Sequence, residues 1–151
     1  MPLIELDMLI AFVNVSDELH RTAVAVFEKI AEGELKNVVI PASAYMEYEL
    51  VLRSRGYDEN VIREDVESFR RIPNLGEAPL TSSVLIEASR LRERYRLSYF
   101  DSLHAASALS YDRTIVSVDQ AYQTVAGLKA IDPRSLANDR LSKPSRKITG
   151  G

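Results

Sequence analysis

Apolar runs too short to be anything but strands alternate with segments of helical period along this chain of 151 residues, and that alternation constrains its fold more than any other feature. Leu3 to Leu6 is a mostly apolar run ending in Asp7, which predicts a buried strand delivering a carboxylate at its carboxyl end. Ser16-Asp17-Glu18 supplies an N-cap and an acidic first turn, after which Leu19, Ala23, Val26, Phe27 and Ile30 recur at helical spacing until Gly33. Val38-Val39-Ile40 predicts a second strand stopped by Pro41, and Ala42 to Arg55 a second helix closed by Gly56. The charge-rich segment from Asp58 to Arg71 predicts a helix on the surface. The stretch from Pro73 to Pro79 has loop character with room for one short strand. Thr81 or Ser82 then caps a helix through Leu85, Ala88, Leu91 and Tyr95, and Ser98 starts another through Asp101, His104, Ala105, Ala108 and Leu109. Thr114 to Val118 is the clearest strand, ending at Asp119, and Leu128 to Ile131 is a weaker one before Pro133.

Parallel neighbours need crossover connections, so strands alternating with helices predict an α/β fold: a three-layer α/β/α arrangement with a central parallel sheet. The length suits one domain, expected over residues 1–133, with a basic tail over 134–151 that is expected to be flexible. The 19 Lys and Arg against 22 Asp and Glu leave a net charge of -3, so no whole-molecule basic field attracts nucleic acid or an anionic membrane. Any polyanion contact must be local. Zero cysteines exclude disulfides, thiolate zinc sites, Fe–S clusters and Cys nucleophiles. With His20 and His104 the only histidines, an all-His metal site within one chain is excluded as well. The first residues lack a basic leader, and no apolar run approaches the roughly 18 residues of a spanning helix. A cytoplasmic protein with no membrane partner is the expectation.

Most of the 22 acids sit on polar helix faces as solvated charges; four do not. Asp7 and Asp119 each end an apolar run, and ligands of open α/β sheets bind outside the carboxyl ends of strands, so both belong to one rim. Glu47 has Ser43, Ala44, Leu50 and Val51 three and four residues away, on a small and apolar stripe where an unpaired carboxylate is costly. Asp101 heads the face Asp101, His104, Ala105, Ala108, Leu109, whose alanines let that helix lie close to the sheet. Each acid also has a structural reading. Ser98-x-x-Asp101 fits a capping box, Asp119 a turn cap before Gln120-Ala121-Tyr122, Asp7 a cap for the segment after Met8, and Glu47 a buried partner of an arginine.

Four acids converging on one rim repel one another unless a cation or a proton is shared between them. An all-oxygen site without thiols points to Mg²⁺ or Mn²⁺, and such sites commonly handle phosphate esters. The chain has no G-x-x-x-x-G-K-[ST], G-x-G-x-x-G or G-x-S-x-G, so NTPase, dinucleotide and serine-hydrolase readings lack their signatures. A haloacid-dehalogenase-like phosphatase needs D-x-D and meets Leu9 at the third position. A receiver module lacks the second acid that it normally carries beside the first.

Leu6-Asp7, Ala44-Tyr45-Met46-Glu47, Phe100-Asp101-Ser102-Leu103-His104-Ala105-Ala106-Ser107-Ala108 and Ile115-Val116-Ser117-Val118-Asp119 stand in an order and at spacings that resemble the PIN-domain family. The resemblance spans roughly residues 3 to 133. It implies a Rossmann-like α/β/α fold and a metal-dependent nuclease site acting on RNA. By position, Asp7, Glu47, Asp101 and Asp119 correspond to the metal-binding and catalytic acids, and Ser117 to the family's small hydroxyl residue two places before the last acid. Short chains of this kind are similar to the VapC-type ribonuclease toxins, usually homodimers held by a cognate antitoxin. The family often places Ser, Thr or Asn just after the first Asp; here Met8-Leu9 stands there instead. The expected activity is therefore a Mg²⁺- or Mn²⁺-dependent endoribonuclease, with a catalytically inactive PIN-like scaffold binding RNA or protein as the alternative.

Arg90, Arg92, Arg94 and Arg96 cluster near the Asp101 helix; Arg92 and Arg96 are candidates to grip RNA phosphate, against a solvated face paired with Glu87 and Glu93. His104, one turn after Asp101, either hydrogen-bonds the site or packs among the alanines, and His20 is expected to be exposed. Tyr45 and Tyr48 can stack on bases or fill the core.

Overall fold

The structure is a computed structural model and describes residues 2–141. The elements run β1 (Leu3–Ile4), α1 (Leu6–Val13), α2 (His20–Ala31), β2 (Val39–Pro41), α3 (Ala42–Ser54), α4 (Glu59–Arg70), β3 (Gly76–Ala78), α5 (Ser82–Arg94), α6 (Tyr99–Leu109), β4 (Thr114–Val116), a 3₁₀ turn (Gln120–Thr124), β5 (Lys129–Ile131) and α7 (Pro133–Leu141). Most of the expected terminators act where the sequence puts them, but Ser16 does not cap α2: that helix begins at His20 behind Leu19, with no side-chain cap and no acid in its first turn. Gly33 and Gly56 both take φ of +81°, the left-handed conformation that ends α2 and α3 and that any side chain would strain. Thr81 Oγ1 caps α5 by accepting from Val84 N at 3.3 Å, and Ser98 Oγ caps α6 by accepting from Asp101 N at 3.2 Å.

All five strands pair in parallel, in the order β3-β2-β1-β4-β5. Their pleat divides the interior between two cores. Ile4, Ile40 and Val116 face a core completed by α1, α2, α3, α4 and α7, while Leu3, Val39 and Ile115 face a second core with α5 and α6. The expected three-layer α/β/α architecture is what forms. Phe12, Phe27, Phe69, Tyr45 and Tyr48 pack ring against ring in the first core, so both tyrosines are structural. Tyr48 donates its hydroxyl hydrogen to Asp65 at 2.6 Å.

Three further expectations need correction. The run from Leu3 to Leu6 is not one strand: β1 stops at Ile4, and α1 begins so soon after it that Asp7 sits in its first turn. His20 is half-buried, its Nδ1 bonded to the Ala11 carbonyl at 2.8 Å. The segment from Arg134, expected to begin a flexible tail, continues as helix to Leu141. Ala137 is fully buried, Lys29 meets Asp139 at 2.6 Å, and Arg140 reaches Glu28 at 3.2 Å, Glu32 at 2.5 Å and Glu34 at 2.7 Å. The rest of the expected tail, 142–151, lies outside the described residues. No helix among the described residues is long and apolar enough to cross a membrane.

Candidate active site

From β1 the chain passes to β2 and β3 on one side of the sheet, then crosses to β4 and β5 on the other. That reversal opens a crevice outside the carboxyl ends of β1 and β4. Glu5 and Asp7 lie just past β1, Ser117 and Asp119 just past β4, α3 contributes Glu47, and α6 contributes Asp101 from its first turn.

Burial and mutual repulsion set the electrostatics. Glu5 is 3% exposed, and its carboxyl is pushed well above the ordinary range, first by burial and then by the charges of Asp7 and Asp101. Asp7 is raised too, chiefly by burial, with the charges of Asp119, Asp101 and Glu47 adding to it and a hydrogen bond shared with Glu5 opposing. Three of the acids expected from the sequence, Asp119, Asp101 and Glu47, therefore all bear on the fourth, Asp7, and a fifth, the buried Glu5, feels Asp7 and Asp101. Glu5 escapes the sequence reading because it stands within a run that is otherwise apolar and reads as strand. A lone acid inside Leu3-Ile4-Glu5-Leu6 is the signal that could have found it.

Ser117 ties the two strand ends together. Its hydroxyl donates to Glu5 Oε1 at 3.1 Å and accepts from Asp119 N at 3.0 Å. Asp119 Oδ1 accepts from Ala121 N at 2.9 Å, so this aspartate caps the 3₁₀ turn and faces the crevice at once. Asp101 likewise belongs to only half of a capping box: Ser98 caps its amide, but its Oδ1 accepts the hydroxyl hydrogen of the buried Tyr122 at 3.1 Å. Burial and the nearby acids hold the Tyr122 phenol far above its usual range, so it stays a proton donor at any working pH. Among the described residues Glu47 pairs with no arginine; its Oε1 lies 2.9 Å from Nε2 of the fully buried His104.

The arginines divide. Arg90 meets Glu87 at 3.5 Å on the solvated face. Half-buried Arg92 donates to Ser102 Oγ at 2.6 Å and covers the Tyr99 ring at 4.9 Å, beside Asp101 rather than in contact with it. Arg96 is exposed beyond the end of α5. A cavity of about 260 Å³ opens next to Asp7, lined by Leu6, Ile10, Leu19 and Val51 and by the charged side chains of Asp17 and Arg55.

The donor set is entirely carboxylate, the ligand chemistry of a hard divalent cation. As they stand, no three Asp, Glu or His side chains among the described residues close around a common ion position. The fit is thus one of donor chemistry and charge rather than of a closed cage.

A parallel α/β/α sheet with acids gathered at its switch point defines a class of proteins that act on ligands at strand ends. Within that class the chain belongs to the PIN-domain family, whose model matches residues 7–128. No curated protein sequence matches it. Among solved structures, a chain of VapBC2 from Rickettsia felis bound to a DNA fragment of its promoter aligns at TM-score 0.66 and 13% identity, over 85% of this chain and 96% of that one. FitAcB from Neisseria gonorrhoeae aligns at 0.63 and 16%, over 88% and 98%. VapC20 from Mycobacterium tuberculosis, described as a toxin that cleaves the sarcin-ricin loop, aligns at 0.65 and 14%, over 83% and 95%. At these identities the likeness is one of fold.

Proposed function

We propose that this protein is a Mg²⁺- or Mn²⁺-dependent endoribonuclease and the toxin half of a toxin–antitoxin pair, acting as a homodimer and restrained by a cognate antitoxin. One observation carries the chemistry: Glu47, Asp101 and Asp119 all bear on Asp7 at the switch point, and burial with this repulsion holds the carboxyls of Glu5 and Asp7 above their ordinary range. A site that strains against its own charge gains from a cation. Membership of the PIN-domain family and the likeness in fold to chains of toxin–antitoxin complexes support the biological setting.

In this reading Asp7, Glu47, Asp101 and Asp119 hold the metal. A metal held there would supply Lewis-acid chemistry toward a phosphoryl oxygen and a bound water. The protein's own groups do the rest. Glu5, held toward its protonated form by burial, shares a hydrogen bond with Asp7 that favours the Asp7 carboxylate, Ser117 keeps Glu5 and the Asp119 backbone in register, and Tyr122 fixes one Asp101 oxygen. The cavity beside Asp7 gives a nucleotide room against the acids, and Arg92, Arg96 and Arg55 are the local cations for phosphate that the acidic whole requires. Met8 and Leu9, the apolar pair that favours an inactive scaffold, are both buried in the core under α1. Their apolarity thus meets a packing demand of α1 and says little against catalysis. Crystals soaked in Mn²⁺ test the assignment: anomalous density at Asp7, Glu47 and Asp101 is expected, and density elsewhere defeats it.

A further inference from the structure

The imidazole of His104 is clamped on three sides. It reaches from α6 onto one turn of α3, where Ser43 and Glu47, four residues apart, present their side chains on the same face. Its Nδ1 lies 2.9 Å from Ser43 Oγ and its Nε2 lies 2.9 Å from Glu47 Oε1. Phe100 stacks on the ring at 6.3 Å with 28° between planes. His104, Ala105, Ala106 and Ala108 are all completely buried. A ring flip would place carbons where both nitrogens now bond.

The pairing dictates the protons. A carboxylate accepts and does not donate, so Nε2 carries the hydrogen and gives it to Glu47 Oε1. In the neutral ring the lone pair on Nδ1 accepts the Ser43 hydroxyl hydrogen. Oε1 is therefore engaged by His104, and Oε2 is the less constrained of the two oxygens. Ser43 is 1% exposed, and its hydroxyl is spent in holding this tautomer. A histidine that only filled space would leave its two nitrogens wherever backbone carbonyls happened to lie.

We propose that Ser43 and His104 form a positioning pair that fixes the rotamer and the available oxygen of Glu47 at the acidic rim. The proposal rests on the metal-dependent reading of that rim. Hydrogen-bonding partners of ligating carboxylates commonly change metal affinity about 10- to 100-fold when removed. Two measurements test it, with circular dichroism confirming that each variant is folded. In the metal-free protein, ¹⁵N NMR of His104 is expected to show the Nε2–H tautomer, and Ser43→Ala to mix the two tautomers. In Mn²⁺ titrations, His104→Leu is expected to raise the Kd about tenfold or more and Ser43→Ala several-fold. His104→Gln, which keeps a donor for Glu47, is expected to recover much of the loss. If His104→Leu does not fold, Ser43→Ala and His104→Gln carry the comparison. An Nδ1–H tautomer in the wild type, or wild-type Kd values in Ser43→Ala and in whichever His104 variant lacks the donor, overturns the proposal. Wild-type protein that binds no Mn²⁺ defeats the metal-dependent reading and the positioning pair with it, whereas binding that none of the variants changes defeats the positioning pair alone.

Discussion

Glu5→Gln separates the structural cost of the acidic cluster from its use. The Glu5 side chain is almost wholly buried and meets Ser117 Oγ at 3.1 Å and the neighbouring Asp7, with no cation bonded to it among the described residues. Because its carboxyl is raised in the folded state, the folded protein binds more protons than the unfolded chain at pH values above the ordinary 4.5. Stability is thus lost as pH rises from that value through the folded-state pKa. At 1.36 kcal/mol per pH unit, the interval up to pH 7 sets a ceiling of about 3.4 kcal/mol on the penalty. Gln keeps an oxygen for the Ser117 hydroxyl and turns an amide toward Asp7, so most of the gain should survive. A gain of about 1–3 kcal/mol corresponds to a Tm about 3–9 °C higher in a domain of this size. Thermal melts in EDTA at pH 7 measure it. At about pH 3.5 the two proteins should converge, because Glu5 is then largely protonated in both states. A Glu5→Gln variant that melts at or below the wild type at pH 7, or keeps its advantage at about pH 3.5, refutes the reasoning.

Asp119→Asn keeps the cap on Ala121 N, since Asn caps as well as Asp, but removes a charge facing Asp7. It should melt higher than wild type in EDTA, gain less from Mn²⁺ and lose most RNA cleavage; unchanged melting and cleavage would leave it a turn cap only. Arg140→Ala breaks three contacts between α7 and the α2 region. Partly exposed ion pairs are weak singly, so a loss of about 1 kcal/mol, or about 3 °C in Tm, is expected by calorimetry, and no loss would make α7 dispensable to the core. Arg92→Gln with Arg96→Gln should flatten the salt dependence of RNA binding, measured by fluorescence anisotropy across a NaCl series. An unchanged slope would assign both to the solvated face.

Local pattern reveals some elements and hides others, for physical reasons. α2, α3, α5 and α6 announce themselves because each carries a cap or a glycine stop and a helical apolar stripe. α1 does not: Leu6–Val13 is apolar on nearly every side, since it is covered by the sheet and by neighbouring helices, and no period stands out. Merging it with β1 puts Asp7 at a strand end instead of in a helix first turn, and conceals Glu5. α7 is obscured by composition. Its Ser, Arg and Asp read as a frayed tail, yet Leu136, Ala137 and Leu141 pack on the first core while Arg140 reaches the glutamates. The acids of the rim are legible because charge at strand ends and on alanine faces conflicts with burial, and such conflicts collect at functional sites. For Asp119, capping and facing the crevice are not alternatives, because one side chain does both. His104 is legible as a position but not in its geometry, because its partner Ser43 stands 61 residues away.

The central claim is metal-dependent RNA cleavage at the crevice between β1 and β4. Cleavage of a labelled structured RNA by purified protein, in Mn²⁺ and in EDTA, for wild type and for Asp101→Asn shown to be folded, tests it most directly. Cleavage is expected only for wild type with Mn²⁺. Equal cleavage in EDTA, or undiminished cleavage by Asp101→Asn, would contradict the account.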